Sequence, residues 1–299
     1  MKKLLISLFS IAVVGAVAFG ATTAFFSDTE ISTGNTLAAG EIDLQVDNTC
    51  YYNGDACTNG FWGGEANIGV GGSITNTCDC NWELSDLDPE HLFFDLVDIK
   101  PGDWEEDTIS LHVKNNDSWL CANVTLTSDD DNSCTEPEEE AEGVGICQDP
   151  GLGLGDLADE IVFLWWADDG DNVLETDEET LPSGAIGNLG VGQSARVALA
   201  DSLNDIWNPA TPSAFPGGET RYIGKGWCFG EITEAPIAQD GVGATDPVTN
   251  GPNTRGAGFE CDGAPVGNAS QTDSLTMDIG FEAVQSRNNE EFLCNPNSD

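Results

Sequence analysis

TISLHVKNNDSWLCANVTLTS, residues 108–128, alternates apolar and polar side chains twice over. Ile109, Leu111 and Val113 fall on one face of an extended chain, and Leu120, Ala122, Val124 and Leu126 on one face of a second. Residues 115–118 between them read as a hairpin-like link. The same period of two recurs in EIDLQV (41–46), with Ile42, Leu44 and Val46, and in SLTMDIGFEAV (274–284), with Leu275, Met277, Ile279 and Phe281. EIVFLWW (160–166) is a continuous apolar run suited to a strand buried on both faces. Helical periodicity is scarce. VGQSARVALADSLNDIW (191–207) is the best helix candidate, with Val197, Leu203 and Ile206 on a loose stripe.

These patterns predict an all-β chain, an antiparallel β-sandwich with long disulfide-pinned loop insertions and room for a short helix. Long polar stretches at 48–81, 128–155, 208–219 and 233–269 read as loop insertions on that scaffold, because none holds enough apolar residues for a core of its own.

The N-terminus gives the compartment. Met1, Lys2 and Lys3 precede an apolar run from Leu4 to Phe19, and the small residues Gly20, Ala21 and Ala24 follow. That is the layout of a cleavable signal peptide, shorter than the roughly 20 apolar residues of a comfortable membrane span. Cleavage is expected between Ala24 and Phe25, giving a signal peptide over 1–24 and a single elaborated domain over 25–299. An uncleaved anchor is the alternative. With no second apolar run of that length, the mature chain is expected outside the cell or at its surface, with no membrane contact after cleavage.

Ten cysteines (Cys50, Cys57, Cys78, Cys80, Cys121, Cys134, Cys147, Cys228, Cys261 and Cys294) all follow the signal segment. An even count in an exported chain reads as disulfides, with the pairing open; metal-binding thiols at the Cys78–Asp79–Cys80 run are the alternative. Acids number 53 against 9 Lys plus Arg, for a formal net charge of −44. Nucleic acid is excluded as a partner by that field. So many carboxylates call for cations or high salt, which points to a calcium-loaded extracellular protein or one adapted to a saline setting. Eight Trp and thirteen Phe still supply a core.

The sharpest local signal is WWADDGDNVLETDEE (165–179), where Asp168, Asp169, Asp171 and Asn172 surround Gly170 and Glu178 follows. Calcium takes six to eight oxygens, and a glycine among close-set aspartates lets the backbone bend until several carboxylates converge. The expected calcium ligands are Asp168, Asp169, Asp171 and Glu178. The spacing is not that of an EF-hand, since Trp165 and Ala167 stand where its first ligands would be. The acidic run 128–142 lacks a comparable glycine and reads as a solvated loop.

Catalytic signatures are thin. His91 and His112 are the two histidines, and neither lies in a His-Glu-x-x-His pattern, so zinc is not expected. No nucleophile elbow is present. The tryptophans suggest a surface adhesin or glycan-binding module through Trp62 or Trp119, whereas Trp165, Trp166 and Trp227 lie in strand-like contexts that favour the core. Asn116, Asn123 and Asn268 head Asn-x-Ser/Thr triplets and are possible glycosylation sites.

AFFSDTEISTGNTLAAGEIDLQV, LFFDLVDIKPGDWEEDTISLHVKNND and the closing DSLTMDIGFEAVQSRNNEEFLC together resemble the TasA/camelysin (CalY) family, exported with a SipW-dependent-type signal peptide. WWADDGDNVLE and YIGKGWCFG carry the likeness into the middle of the chain. The resemblance implies a jelly-roll-like sandwich and a non-enzymatic subunit of biofilm or other extracellular fibres. It also implies a partner: a second copy, joined head to tail by strand donation from residues 25–37 with Phe25, Phe26 and Ile31 as anchors, or other matrix proteins. Camelysin is described as a metalloendopeptidase, so the same likeness brings an enzyme as its alternative. The cysteine-rich loops and the polar Ser27–Glu30 run depart from the fibre-forming pattern.

Overall fold

A computed structural model describes residues 27–31, 42–64, 77–143, 145, 147, 151–244 and 250–296. The signal segment, its Ala24/Phe25 junction and most of the candidate donor segment lie outside the described residues.

The chain is a β-sandwich. Its smaller sheet has the order β1 (Ser27–Ile31), β14 (Ser274–Gln285), β7 (Ser118–Asp130), β10 (Ser194–Ala200). Its larger sheet runs β4 (Phe61–Trp62), β3 (Asp55–Thr58), β2 (Asp43–Tyr52), β6 (Trp104–Lys114), β11 (Thr220–Phe229), β8 (Ile161–Asp168), β9 (Gly184–Ala185), with β5 (Trp82–Ser85) also on β2. A separate pair, β12 (Glu231–Glu234) and β13 (Phe259–Asp262), completes the strands among the described residues. All the ladders between these strands are antiparallel.

The alternating residues do what period two demands. Ile42, Leu44, Val46, Ile109, Leu111 and Val113 from the large sheet meet Leu120, Ala122, Val124, Leu126, Ile279 and Phe281 from the small one in a single buried cluster. The link at 115–117, however, is not a hairpin. β6 pairs with β2 and β11, and β7 with β14 and β10, so the chain steps from one sheet to the other there. Alternation fixes which face is apolar, not which neighbour a strand takes, and two apolar faces bury each other best by facing across the core.

β8 is buried on both sides, as its composition predicts. Ile161, Phe163, Trp165 and Ala167 enter the main core, while Leu164 and Trp166 join Leu174, Ala257 and Phe259 in a second cluster on the outer face of the large sheet. Room for Trp166 comes from Gly224 on β11: a Cβ there would lie 1.9 Å from the indole. Gly224→Ala is therefore expected to lower stability by about 2 kcal/mol through overpacking, read as a lower midpoint in chemical denaturation with an unchanged slope.

The helix expected at 191–207 is strand β10, paired antiparallel with β7. Val197 and Leu199 alternate, Arg196 pairs with Glu282 on the next strand but one, and Asp201 then ends the run by accepting the Leu203 and Asn204 amides at 2.9 and 2.8 Å. The stripe was too loose to compete with sheet pairing on β7. A helix forms instead at Glu136–Glu142, inside the stretch read as a solvated loop, opened by a capping box between Thr135 and Glu138. The supposed insertion at 48–81 is likewise partly core: Tyr51, Tyr52 and Trp62 are buried, and the rings of Tyr52 and Trp62 lie 5.5 Å apart.

All ten cysteines are bridged: Cys50–Cys80, Cys57–Cys78, Cys121–Cys294, Cys134–Cys147 and Cys228–Cys261. The metal-thiol alternative for Cys78 and Cys80 falls, since the two belong to different bridges. Five disulfides suit an oxidising environment. Among the described residues, no helix is long and apolar enough to cross a membrane.

Candidate functional site: an acidic pocket beyond strand β8

Strand β8 ends at Asp168, and the chain turns at Gly170 in a positive-φ conformation (φ 107°). A Cβ at Gly170 would sit 2.6 Å from that of Ala244, so the turn needs glycine both for its dihedral and for its neighbour. Asp168 organises the turn. Its Oδ1 accepts the Gly170 amide at 2.5 Å and the Asn172 amide at 3.4 Å, and its Oδ2 accepts the Trp166 indole N–H at 2.9 Å. Asp171 Oδ1 accepts the Val173 amide at 3.0 Å. Glu178 closes the loop, with Oε1 on the Asp169 amide and Oε2 on the Glu175 amide, both at 2.9 Å.

The four sequence-predicted residues thus converge. Carboxylate oxygens of Asp168, Asp169 and Asp171 lie within 4.8 Å of one another, and so do those of Asp169, Glu175 and Glu178. Asp169 belongs to both groups and is the centre of the cluster. Several oxygens have no hydrogen-bond partner although buried: Asp169 Oδ1, Glu175 Oε2 and Asn172 Oδ1. Oxygens that accept one N–H keep a second lone pair for a cation.

Glu175 takes part without having been singled out, although it stands in the same motif. Arg255, from the opposite side, is the other addition. Its guanidinium contacts Asp171 Oδ2 at 2.6 Å and Glu175 Oε1 at 2.5 Å, and it also reaches the Ala238 carbonyl at 2.9 Å. Asn250 donates to Asp171 Oδ2 at 3.0 Å, and Gln239 to Asp169 Oδ2 at 3.2 Å. One guanidinium faces the five carboxylates of the loop and Asp240, 3.4 Å from it, which leaves the pocket strongly negative.

A further acid presses on the pocket from within the sheet. Glu106 on β6 is fully buried, and neither of its carboxylate oxygens has a hydrogen-bond partner. Burial first, then the charges of Asp168, Asp107 and Asp171, push its carboxyl well above the ordinary range. Burial likewise raises Asp168 to about 7, with Asp169 adding to it against the opposing amide hydrogen bonds. Asp171 is pushed up to about 8 by burial and by Asp168, Asp169 and Glu175, and Glu178 to about 9 by burial and by Asp168. Such a site holds protons or a cation near neutrality, because it cannot carry all its charges bare.

The other residues named from sequence fall elsewhere. His112 bonds Asp47 and Thr220 at 2.9 Å each, and His91 lies by Ser85 at 3.2 Å. Trp62 and Trp119 are buried, and Trp119 donates to the Asn289 carbonyl at 2.7 Å, so neither offers a ring to a surface sugar. Of the three sequons, Asn268 is exposed, Asn116 is half-buried with a contact to Gln285, and Asn123 is half-buried within β7. A cleft of about 630 Å3 lies apart from the acidic pocket, between segments 94–101 and 267–275. No protein-family model matches the chain, and a search of curated proteins finds no match.

Proposed function

We propose that the mature chain is an exported, non-enzymatic structural protein of an extracellular matrix, fibre or cell surface, stabilised by calcium in the acidic pocket. The observation that carries this reading is the convergence of Asp168, Asp169, Asp171, Glu175 and Glu178 around buried oxygens without partners, in a chain tied by five disulfides. Hard oxygen donors in that number suit calcium rather than zinc. The resemblance to the TasA/camelysin family supplies the fibre role.

The edge of the small sheet bears on assembly. The 27–31 segment, part of the candidate donor, pairs along β14 from Ser27 opposite Val284 to Ile31 opposite Gly280. The edge of β14 therefore accepts this sequence as a strand. A copy of the same segment from a neighbouring subunit would satisfy the same backbone groups, and a head-to-tail exchange of that kind builds an open filament.

Electron microscopy of the purified mature protein tests the proposal. Filaments are expected from protein beginning at Phe25, with calcium favouring them, and none from protein truncated to begin after Ile31. Monomers from both proteins, with and without calcium, would remove the fibre role.

A further inference from the structure

The inner face of the large sheet carries a charged group that neither the fold nor the acidic pocket explains. Counting back by two from Ile109 places Asp107 and Glu105 on the core side of β6. Lys225 of β11 stands directly opposite Asp107 in the antiparallel register. All three side chains are fully buried, 0% exposed, and the Lys225 ammonium meets Asp107 Oδ2 at 2.5 Å. A carboxylate oxygen of Glu105 lies within 4.8 Å of one from Asp107.

The surroundings hold these groups in fixed roles. Lys225 Nζ lies 5.0 Å from the centre of the Phe94 ring and 5.6 Å from that of Phe93, which wall it from water. Asn48 donates to Asp107 Oδ1 at 2.6 Å and to the Cys80 carbonyl at 2.7 Å, which leaves Oδ2 turned to the lysine. The Trp227 indole donates to Glu105 Oε2 at 2.5 Å, while Glu105 Oε1 has no hydrogen-bond partner. Burying two acids and one lysine costs more in desolvation than their attraction returns, so as an ion pair the group is a poor way to stabilise a core.

We propose that Lys225 and Asp107 condense into an intramolecular isopeptide bond that ties β6 to β11. A proton passing from the ammonium to the carboxylate across their contact gives a neutral amine and a neutral acid. The Nζ lone pair then adds to Asp107 Cγ, and the developing oxyanion at Oδ1 is stabilised by the Asn48 amide. Oδ2 departs as water, taking one proton from the acid and one from Nζ, the latter relayed through Glu105. One C–N bond forms and one C–O bond breaks. Amine plus acid gives amide plus water, with no oxidant or other reactant. Fixing the two groups opposite each other supplies an effective concentration of about 10⁵ M or more, and a dry, aromatic-lined core then protects the amide from hydrolysis. The product removes both buried charges.

Intact-mass measurement of the full mature protein, denatured and with its disulfides reduced, tests this. Wild type is expected to be lighter than its sequence by one water, and proteolysis to release a branched peptide joining Lys225 to Asp107. Lys225→Arg should restore the full mass. Glu105→Gln, followed by a chase after cell-free synthesis, should slow bond formation by about 100-fold. Folded wild type of full sequence mass overturns the proposal. Loss of ammonia, with Asn48 in the branched peptide, overturns the choice of Asp107, and unchanged kinetics in Glu105→Gln overturn the relay.

Discussion

Replacing Cys121 and Cys294 together by alanine is expected to lower the unfolding free energy by about 5 kcal/mol, the largest effect of any single bridge. The two lie 173 residues apart in sequence, and a cross-link restricts the unfolded chain more as the loop it closes lengthens. Both sulfurs are buried, and the bridge fastens the C-terminal segment beneath the small sheet. Around it the Cys294 amide donates to Asp201 at 3.1 Å, the Ser202 amide to the Phe292 carbonyl at 3.0 Å, and Trp119 to the Asn289 carbonyl. Those bonds share the fate of the bridge. Cys134 and Cys147, only 13 residues apart, should cost about 3 kcal/mol when replaced in the same way. Denaturant unfolding of both double variants checks the order, and a loss at Cys121/Cys294 no greater than at Cys134/Cys147 would contradict it.

The second large effect is a pH dependence that calcium reverses. In chelator the folded-state values of Asp168, Asp171 and Glu178 lie near 7, 8 and 9, all above their ordinary values near 4. The folded state therefore binds more protons than the unfolded one between those limits. Its stability is greatest in mild acid and falls as pH rises through 7 to 9. The three groups together imply a loss of several kcal/mol between pH 6 and pH 9, or a fall in Tm of more than about 10 °C for a chain of this size. Calcium at about 100 times its Kd restores about 2.7 kcal/mol at pH 8 and much less at pH 5, where protons occupy the same oxygens. Thermal scans across pH in chelator and in calcium measure both. Stability that rises with pH in chelator would contradict the pocket's electrostatics.

Much of the architecture was legible because burial on one face leaves a period of two. Every apolar residue used to find β2, β6 and β7 is in the core, and the continuous run of β8 is buried on both sides. Pairing was not legible, since 115–117 can close a hairpin or step between sheets with the same side chains. The strand at Ser194–Ala200 was missed because a weak helical stripe says nothing of the waiting edge of β7. The helix at Glu136–Glu142 had a readable signal in Thr135 and Glu138, masked by the acidity of its surroundings.

The acidic pocket shows the same division. Asp168, Asp169, Asp171 and Glu178 are local in sequence, and a glycine turn gathers them. Glu106 and Arg255 come from distant elements, 62 residues before Asp168 and 84 after Asp171, and only the sheet and the 250–262 segment bring them near. The acids of the segment WEED, residues 104–107, gave no sequence signal of their own and are strand residues, with Glu105 and Asp107 facing inward and Glu106 outward, all three buried.

Calorimetric titration of the mature protein with calcium at pH 8 tests the central claim most directly, run in two buffers of different ionisation enthalpy and repeated on Asp169→Asn. One site is expected in wild type, with protons released on binding because the raised carboxyls give them up, and the site is expected to be lost or at least about tenfold weaker in Asp169→Asn. No binding, or equal binding without proton release in the two proteins, would contradict a calcium site built from Asp168, Asp169, Asp171 and Glu178.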